Sequence, residues 1–252
     1  MTRPRVALFA TCLADLIRPQ IAFAAAKLLQ DSGCDVEVPV QTCCGQPAYN
    51  GGDAKDAAAL ARNVIAAFET FDYTVAPSGS CAGMIKVHYP RLLAGDAKWR
   101  ERAEALAAKT HELFSFLVNM RGMKKVSTAC SASAAYHDSC SSLREMNVSG
   151  EPRALLSSVT GLRLRDLEDP QTCCGFGGFF SIKYPEISAK MGGDKLADAK
   201  KSGADTLLGG DLGCLLHLAG IAARSGKKLK VRHAAEVLAG MAEEPAIGED
   251  NP

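Results

Sequence analysis

Short apolar blocks alternate with longer Ala/Leu-rich stretches along this chain. The run Val6-Ala-Leu-Phe-Ala10 is β-like and ends at Thr11-Cys12. Ile17 to Gln30, rich in Ala and Leu and closed by Gly33, predicts a helix. Val36-Glu-Val-Pro-Val40 alternates as a strand does and runs directly into Cys43-Cys44-Gly45. Asp53 fits the N-cap of an Ala-rich helix reaching about Glu69. Thr74-Val-Ala-Pro77 predicts a further short strand, which delivers Ser78-Gly79-Ser80-Cys81.

The second half repeats this order. Ala134-Ala-Tyr-His-Asp138 leads to Cys140, and Leu162-Arg-Leu-Arg-Asp-Leu167 leads to Cys173-Cys174-Gly175. A helix is predicted from about Glu186 to Lys201, and Thr206-Leu-Leu-Gly209 brings the chain to Cys214. Between the halves, Lys109 to Met120 reads as a helix and Arg121 to Ser133 as the boundary. The pattern predicts an α/β protein of two duplicated, small Rossmann-like domains, residues 1–122 and 123–252. Each is a parallel sheet flanked by helices. Glu243 to Pro252, acidic and bearing Pro and Gly, is expected to fray.

Composition narrows the partners. Lys+Arg of 29 against Asp+Glu of 28 leaves no electrostatic footprint for nucleic acid. Hydrophobic residues at 47% and charged residues at 23% are ordinary for a soluble protein. The N-terminal apolar run is too short to span a membrane and lacks the small-residue site of a secretory signal, so a cytoplasmic location is expected. In that reducing setting, clustered cysteines are metal ligands or redox groups rather than staples.

Eight of the ten cysteines form two matching sets. Cys12 and Cys81 bracket the first Cys-Cys-Gly triplet; Cys140 and Cys214 bracket the second at similar intervals. Each cysteine lies just past a predicted strand, where open parallel sheets bind ligands. Thiolates suit zinc, copper(I) and iron–sulfur clusters. A glycine directly after two adjacent cysteines lets the backbone turn so that both sulfurs face one cavity. Adjacent thiolates suit a multi-iron cluster, whereas structural zinc sites usually come from C-x2-4-C knuckles. Gly175-Phe-Gly177-Gly178 offers backbone N–H groups to cluster sulfides, or is simply a flexible turn. Phe180 stands where a dinucleotide motif needs its last glycine.

These residues carry a resemblance. Phe9-Ala-Thr-Cys12, Gln41-Thr-Cys-Cys-Gly-Gln-Pro47, Pro77-Ser-Gly-Ser-Cys81 and Thr172-Cys-Cys-Gly-Phe-Gly-Gly178 are similar to the motifs of the tandem cysteine-rich CCG domain family. That family includes the cysteine-rich subunit of heterodisulfide reductase and the iron–sulfur subunits of glycolate and glycerol-3-phosphate oxidoreductases. The resemblance runs from about residue 5 to about residue 240. It implies an iron–sulfur electron-transfer subunit of a cytoplasmic complex acting on a small 2-hydroxy acid, L-lactate oxidised to pyruvate. The implied partners are the other subunits of a lactate-utilization complex, one of them ferredoxin-like and carrying further clusters. The implied ligands are Cys12, Cys43, Cys44 and Cys81 in one half and Cys140, Cys173, Cys174 and Cys214 in the other.

The family closes each repeat with C-x-x-C, and here those positions are Met84 and His217. With four cysteines per half, an ordinary [4Fe–4S] cluster is expected, one or two per chain, with zinc possible in one or both sites. His217 offers an imidazole as an extra ligand, or packs on a helix face beside the site. Met84 fills space. Cys34 and Cys130, outside the repeat, are expected to be buried and inert. His137 and Asp138 invite a general-base reading, but Ala10-Thr11 precede Cys12 in the first repeat. Asp138 then reads as a loop hydrogen-bonding group. His111-Glu112 lacks the second histidine of a zinc-protease helix. Lys227, Lys228 and Lys230 read as a solvated face. Two other function classes remain: a zinc-bearing thiol–disulfide oxidoreductase and a zinc-stabilised assembly subunit.

Overall fold

A computed structural model describes residues 3–226 and 228–249. Its strands form two parallel sheets of four. The first contains β1 (Arg5–Leu8), β2 (Asp35–Glu37), β3 (Tyr73–Ala76) and β4 (Thr110–Glu112), in the order β2-β1-β3-β4. The second contains β5 (Ala129–His137), β6 (Thr160–Arg165), β7 (Thr206–Gly209) and β8 (Lys230–His233), in the order β6-β5-β7-β8. Strand for strand, the second sheet repeats the first. The predicted duplicated α/β fold is therefore what the chain adopts.

The central strands are apolar on both faces because helices cover both. Val6, Ala7 and Leu8 are fully buried, as are Leu207 and Leu208. One continuous hydrophobic cluster takes Val6, Leu8, Leu28 and Phe114 from the first half and Tyr136, Leu155, Leu208 and Val237 from the second. The halves are also joined by polar contacts. Arg18 Nε donates to Glu236 Oε1 at 2.7 Å across the junction, with the glutamate side chain fully buried. Asp211 Oδ2 accepts from the Ser80 backbone N–H at 2.9 Å and from Ser78 Oγ at 3.2 Å.

Several predicted elements change. The helix expected from Ile17 to Gln30 is two, Cys12–Ile17 and Gln20–Asp31, interrupted at Arg18-Pro19. The strand expected to reach Val40 stops at Glu37; Pro39 has no N–H to continue the ladder, and Val40 is exposed. The helix expected over Lys109–Met120 begins instead as β4, then continues as the turn Leu113–Ser115 and a π-helical turn, Phe116–Met120. Thr110 and Glu112 point inward there and pair beside β3, so tertiary pairing overrides helix propensity. β5 starts at Ala129, inside the stretch read as the boundary. β8 has no counterpart among the predicted elements.

The segment expected to fray is docked through Glu249. Ile247 N donates to Val231 O at 2.8 Å, Arg18 holds Pro245 O at 2.7 Å, and Ala246 and Ile247 are buried. Residues 250–252 lie outside the described residues, as does Lys227. Lys228 and Lys230 are exposed, as a solvated face requires. Cys34 is buried in the shared core, while Cys130 is only partly buried. Among the described residues no helix is long and apolar enough to cross a membrane.

Candidate metal centres

Because every strand is parallel, the C-terminal ends of each sheet lie along one edge, and both cysteine sets are delivered there. Cys12 opens the helix Cys12–Ile17 directly after β1, capped by Thr11 Oγ1, which accepts from Ala14 N at 3.3 Å. Cys140 opens Cys140–Arg144 after β5, capped by Ser139. Cys81 lies in Gly79–Gly83 after β3, and Cys214 in Leu212–Arg224 after β7. The triplets occupy the loops that follow β2 and β6.

Thr11 is held at φ 71°, a conformation L-residues rarely adopt, at a cost of about 1–3 kcal/mol. The strain sits one residue before a proposed ligand. Beside it, a cavity of about 320 Å³ is lined by Thr11, Cys12, Leu16, Val38 and Cys43. A larger cavity, about 760 Å³, lies beside the starts of β5, β7 and β8, at the opposite edge, and touches no cysteine of either set.

Within each set the sulfurs meet. Cys44 Sγ lies 3.5 Å from Cys81 Sγ, and Cys43 and Cys12 are close enough to shift each other's ionisation. The second half repeats both pairings, Cys174 with Cys214 and Cys173 with Cys140. Backbone donors add to this. Gly45 N points at Cys43 Sγ (3.5 Å); Gly175 N and Phe176 N point at Cys173 Sγ (3.3 Å) and Cys174 Sγ (3.4 Å). The glycine loop of the second triplet thus presents N–H groups to the thiol sulfurs themselves, as Gly45 does in the first.

The electrostatics follow from this crowding. Cys43 is pulled well below the ordinary thiol range by hydrogen bonds from Cys12 and Cys44, and Cys173 likewise by Cys140 and Cys174. Their neighbours move the other way. Cys12 and Cys140 are pushed up by hydrogen-bonding to the first-ionised sulfur and by burial; Cys44 and Cys174 are pushed up for the same reasons. Cys43 and Cys173 ionise readily, while Cys12 and Cys44 in the first set and Cys140, Cys174 and Cys214 in the second resist. Full deprotonation of four thiols in so small a space needs a compensating positive charge, which a metal ion or iron–sulfur core supplies. The donor set therefore fits such a group.

His217 lies apart from these pairings. Its Nε2 is 3.2 Å from Ser188 Oγ and 3.4 Å from Ser188 O, and its ring packs 6.0 Å from that of Phe176. Met84 is fully buried among apolar residues. Asp138 is gripped by Arg153 in a two-pronged ion pair at 2.8 and 2.7 Å, which fixes the loop before Cys140. A residue that sequence reasoning set aside does reach the thiols: a ring nitrogen of His137 lies within 4.8 Å of Cys174 and Cys214 Sγ. The available signal was an ionisable residue at the end of an otherwise apolar strand.

With this geometry, the comparisons with known proteins fall into place. The sequence matches the cysteine-rich CCG domain over residues 6–86 and again over 134–219. The chain belongs to the cysteine-rich CCG domain family, with two copies of the domain. It is 45% identical to lactate utilization protein A of Halalkalibacterium halodurans over 93% of its length and 96% of that protein's. Identity to lactate utilization protein A of Geobacillus sp. is 46%, over 93% of this chain and 98% of that one. Identity to the Bacillus subtilis protein of the same name is 43%, with the same coverage. Among solved structures, a hypothetical protein from Helicobacter pylori superimposes with a TM-score of 0.67 at 12% identity. That match covers 97% of this chain and 50% of the other, and it speaks to the fold alone.

Proposed function

We propose that the chain is an iron–sulfur electron-transfer subunit of an oxidoreductase complex of lactate utilization, in which L-lactate is oxidised to pyruvate. The proposed units 1–122 and 123–252 each hold one centre: Cys12, Cys43, Cys44 and Cys81 in the first, and Cys140, Cys173, Cys174 and Cys214 in the second. The observation that carries the reading is the pairing of thiols within each set at a strand-end edge, Cys44 with Cys81 at 3.5 Å in the first and Cys174 with Cys214 in the second. The names of the relatives, at 43–46% identity over nearly full length, support the metabolic setting.

A cluster held by these thiolates supplies one-electron transfer. The chain's own contribution is to ionise and orient the sulfurs, donate backbone N–H groups to them and exclude water with apolar neighbours. The lactate-oxidising chemistry and the electron acceptor fall to partner subunits, including a ferredoxin-like one, so the isolated chain is expected to show no turnover. The 2-hydroxy acid need not touch this subunit.

Anaerobic purification with iron and acid-labile sulfide analysis tests the proposal. The expected result is a brown protein with about four iron and four sulfide per filled site. A colourless, iron-free chain after anaerobic reconstitution overturns it. Stoichiometric zinc in that case supports the zinc-stabilised alternative, with fold lost on chelation. A free-thiol titre that changes by two per half without metal supports the thiol–disulfide one.

A further inference from the structure

His137 is the last residue of β5 and is 1% exposed, yet neither ring nitrogen has a hydrogen-bond partner among the described residues. A buried polar atom left unpaired costs about 1–3 kcal/mol, so an imidazole with both nitrogens unpaired calls for a further partner. The nearest candidates are sulfurs. A ring nitrogen of His137 and the Sγ atoms of Cys174 and Cys214 all lie within 4.8 Å of one another, and all three residues are buried within the second centre. An unpaired ring nitrogen beside two sulfurs offers a lone pair to a metal.

The first half supplies the internal control. Thr11 and Ser139 cap the helices that begin at Cys12 and Cys140, so the residue two before each cap is Phe9 in one half and His137 in the other. Phe9 is fully buried in the same apolar cluster as Cys44 and Cys81, and its ring packs on Phe68 at 5.4 Å. An aromatic ring thus fills this position in both halves. Only the second ring carries donor atoms.

We propose that His137 supplies a nitrogen ligand to the metal centre of the second half, giving it a mixed sulfur–nitrogen donor set while the first centre is bound by sulfur alone. His217 does not take this role, because Ser188 already engages its Nε2. A neutral imidazole that takes the place of one thiolate on the iron lowers the negative charge of the centre by one, and such replacement raises the potential of iron–sulfur centres. Lys195, also buried beside the site, acts in the same direction. The second centre is then the more readily reduced of the two.

This inference rests on the reading that each thiol set holds a metal centre, and the test separates the two. The full-length chain, labelled with ¹⁵N-histidine, is loaded anaerobically with iron and sulfide, and in a parallel sample with Co(II) alone. The iron–sulfur sample is reduced by one electron with dithionite to its paramagnetic state, and pulsed EPR then reads ¹⁵N coupling in both samples. The expected result is strong coupling in the wild type and in His217→Phe, lost in His137→Phe, with Co(II) bound at the second site about tenfold or more weakly. His137→Gln serves where the phenylalanine disturbs folding, as judged by circular dichroism. Clusters without ¹⁵N coupling in the wild type, or coupling that survives removal of His137, overturn the assignment and leave the cluster reading standing. No cluster, but a cobalt site whose ¹⁵N coupling depends on His137, keeps the assignment and overturns the cluster reading. A chain that takes up neither metal overturns both.

Discussion

Around the first set of thiols the inward-facing neighbours are Phe9, Ala57, Val64 and Met84; around the second, the matching places hold His137, Ser188, Lys195 and His217. The match is geometric. Gly45 of the first triplet faces the carbonyl of Ala57, Gly175 of the second faces that of Ser188, and Val64 and Lys195 lie seven residues further along the same helices. Val64 and Lys195 are each 1% exposed, but Lys195 Nζ donates to the backbone oxygens of Asp169 and Pro170. So the two halves keep one thiol frame and change its lining from apolar to polar. Hydrogen bonding, charge and burial around a cluster set its potential, so clusters held as proposed in the two frames would differ in potential.

The largest effect expected is loss of a whole centre. Cys44→Ser should empty the first site and Cys174→Ser the second, each removing about half the iron of the reconstituted chain. Each should leave the other centre's EPR signal in place. Loss of both signals from either substitution would mean that the two sites assemble as one, and the comparison between them would collapse.

A second contrast lies at the ends of the last strands. Glu112 closes β4 and His233 closes β8, paired in register with Ala76 and Gly209. Both are buried, and both cap the helical turn that follows. Burial pushes Glu112 up to about 8 and His233 down to about 4. Their pH dependences have opposite signs. The folded chain keeps a proton on Glu112, so that contribution is full below about pH 4.5 and is lost as pH rises through 8. His233 stays neutral when folded, its Nε2 donating to Pro77 O at 3.2 Å, so its contribution is full above about pH 6.5 and is lost as pH falls through 4. Urea unfolding between pH 4 and 9 should show Glu112→Gln removing about 3–5 kcal/mol of alkaline decline, and His233→Gln about 3 kcal/mol of acid decline. Shifts of the same sign in both variants would refute the contrast.

How far the sequence reveals these features depends on whether each is written locally. The strands before Cys12, Cys81, Cys140 and Cys214, and the cap at Asp53, are short apolar runs or a single side-chain bond, and they appear where expected. β4 and β8 are short edge strands defined by pairing with distant β3 and β7, and their residues, such as Thr110-His-Glu112, carry no strand-like pattern of their own. The thiol sets were legible because rare residues recur beside strand ends. The lining was only partly so: Phe9 and His137 each stand three residues before the first cysteine of their set, whereas Val64 and Lys195 become equivalent only once the two helices are superposed in space.

The triplet glycines extend the comparison to the backbone. Both take left-handed conformations, φ 85° at Gly45 and 87° at Gly175. A Cβ at Gly45 would meet only ordinary contacts at 3.4 Å, so Gly45→Ala should cost the strain alone, about 1–2 kcal/mol. At Gly175 it would lie 2.5 Å from Ser188 O, a backbone atom, so Gly175→Ala should cost about 3 kcal/mol. Equal urea midpoints for the two variants would show that the second loop yields as easily as the first.

Ser188→Ala is the gentlest probe, since it gives the second half the residue that the first has at Ala57. It deletes the bond from Ser188 Oγ to Gly175 O at 2.8 Å and frees His217 Nε2 from its 3.2 Å contact. The net stability change should be about 1 kcal/mol, because water takes over part of the lost bonding. The informative readout is the second centre. If its nitrogen donor is His137, freeing His217 should leave ¹⁵N coupling unchanged and move the g-values only slightly, through the loop that carries Cys173 and Cys174. A new ¹⁵N coupling that appears only in this variant would show His217 to be a ligand held in reserve, and the polar lining would then have to be read as competing with the centre rather than tuning it.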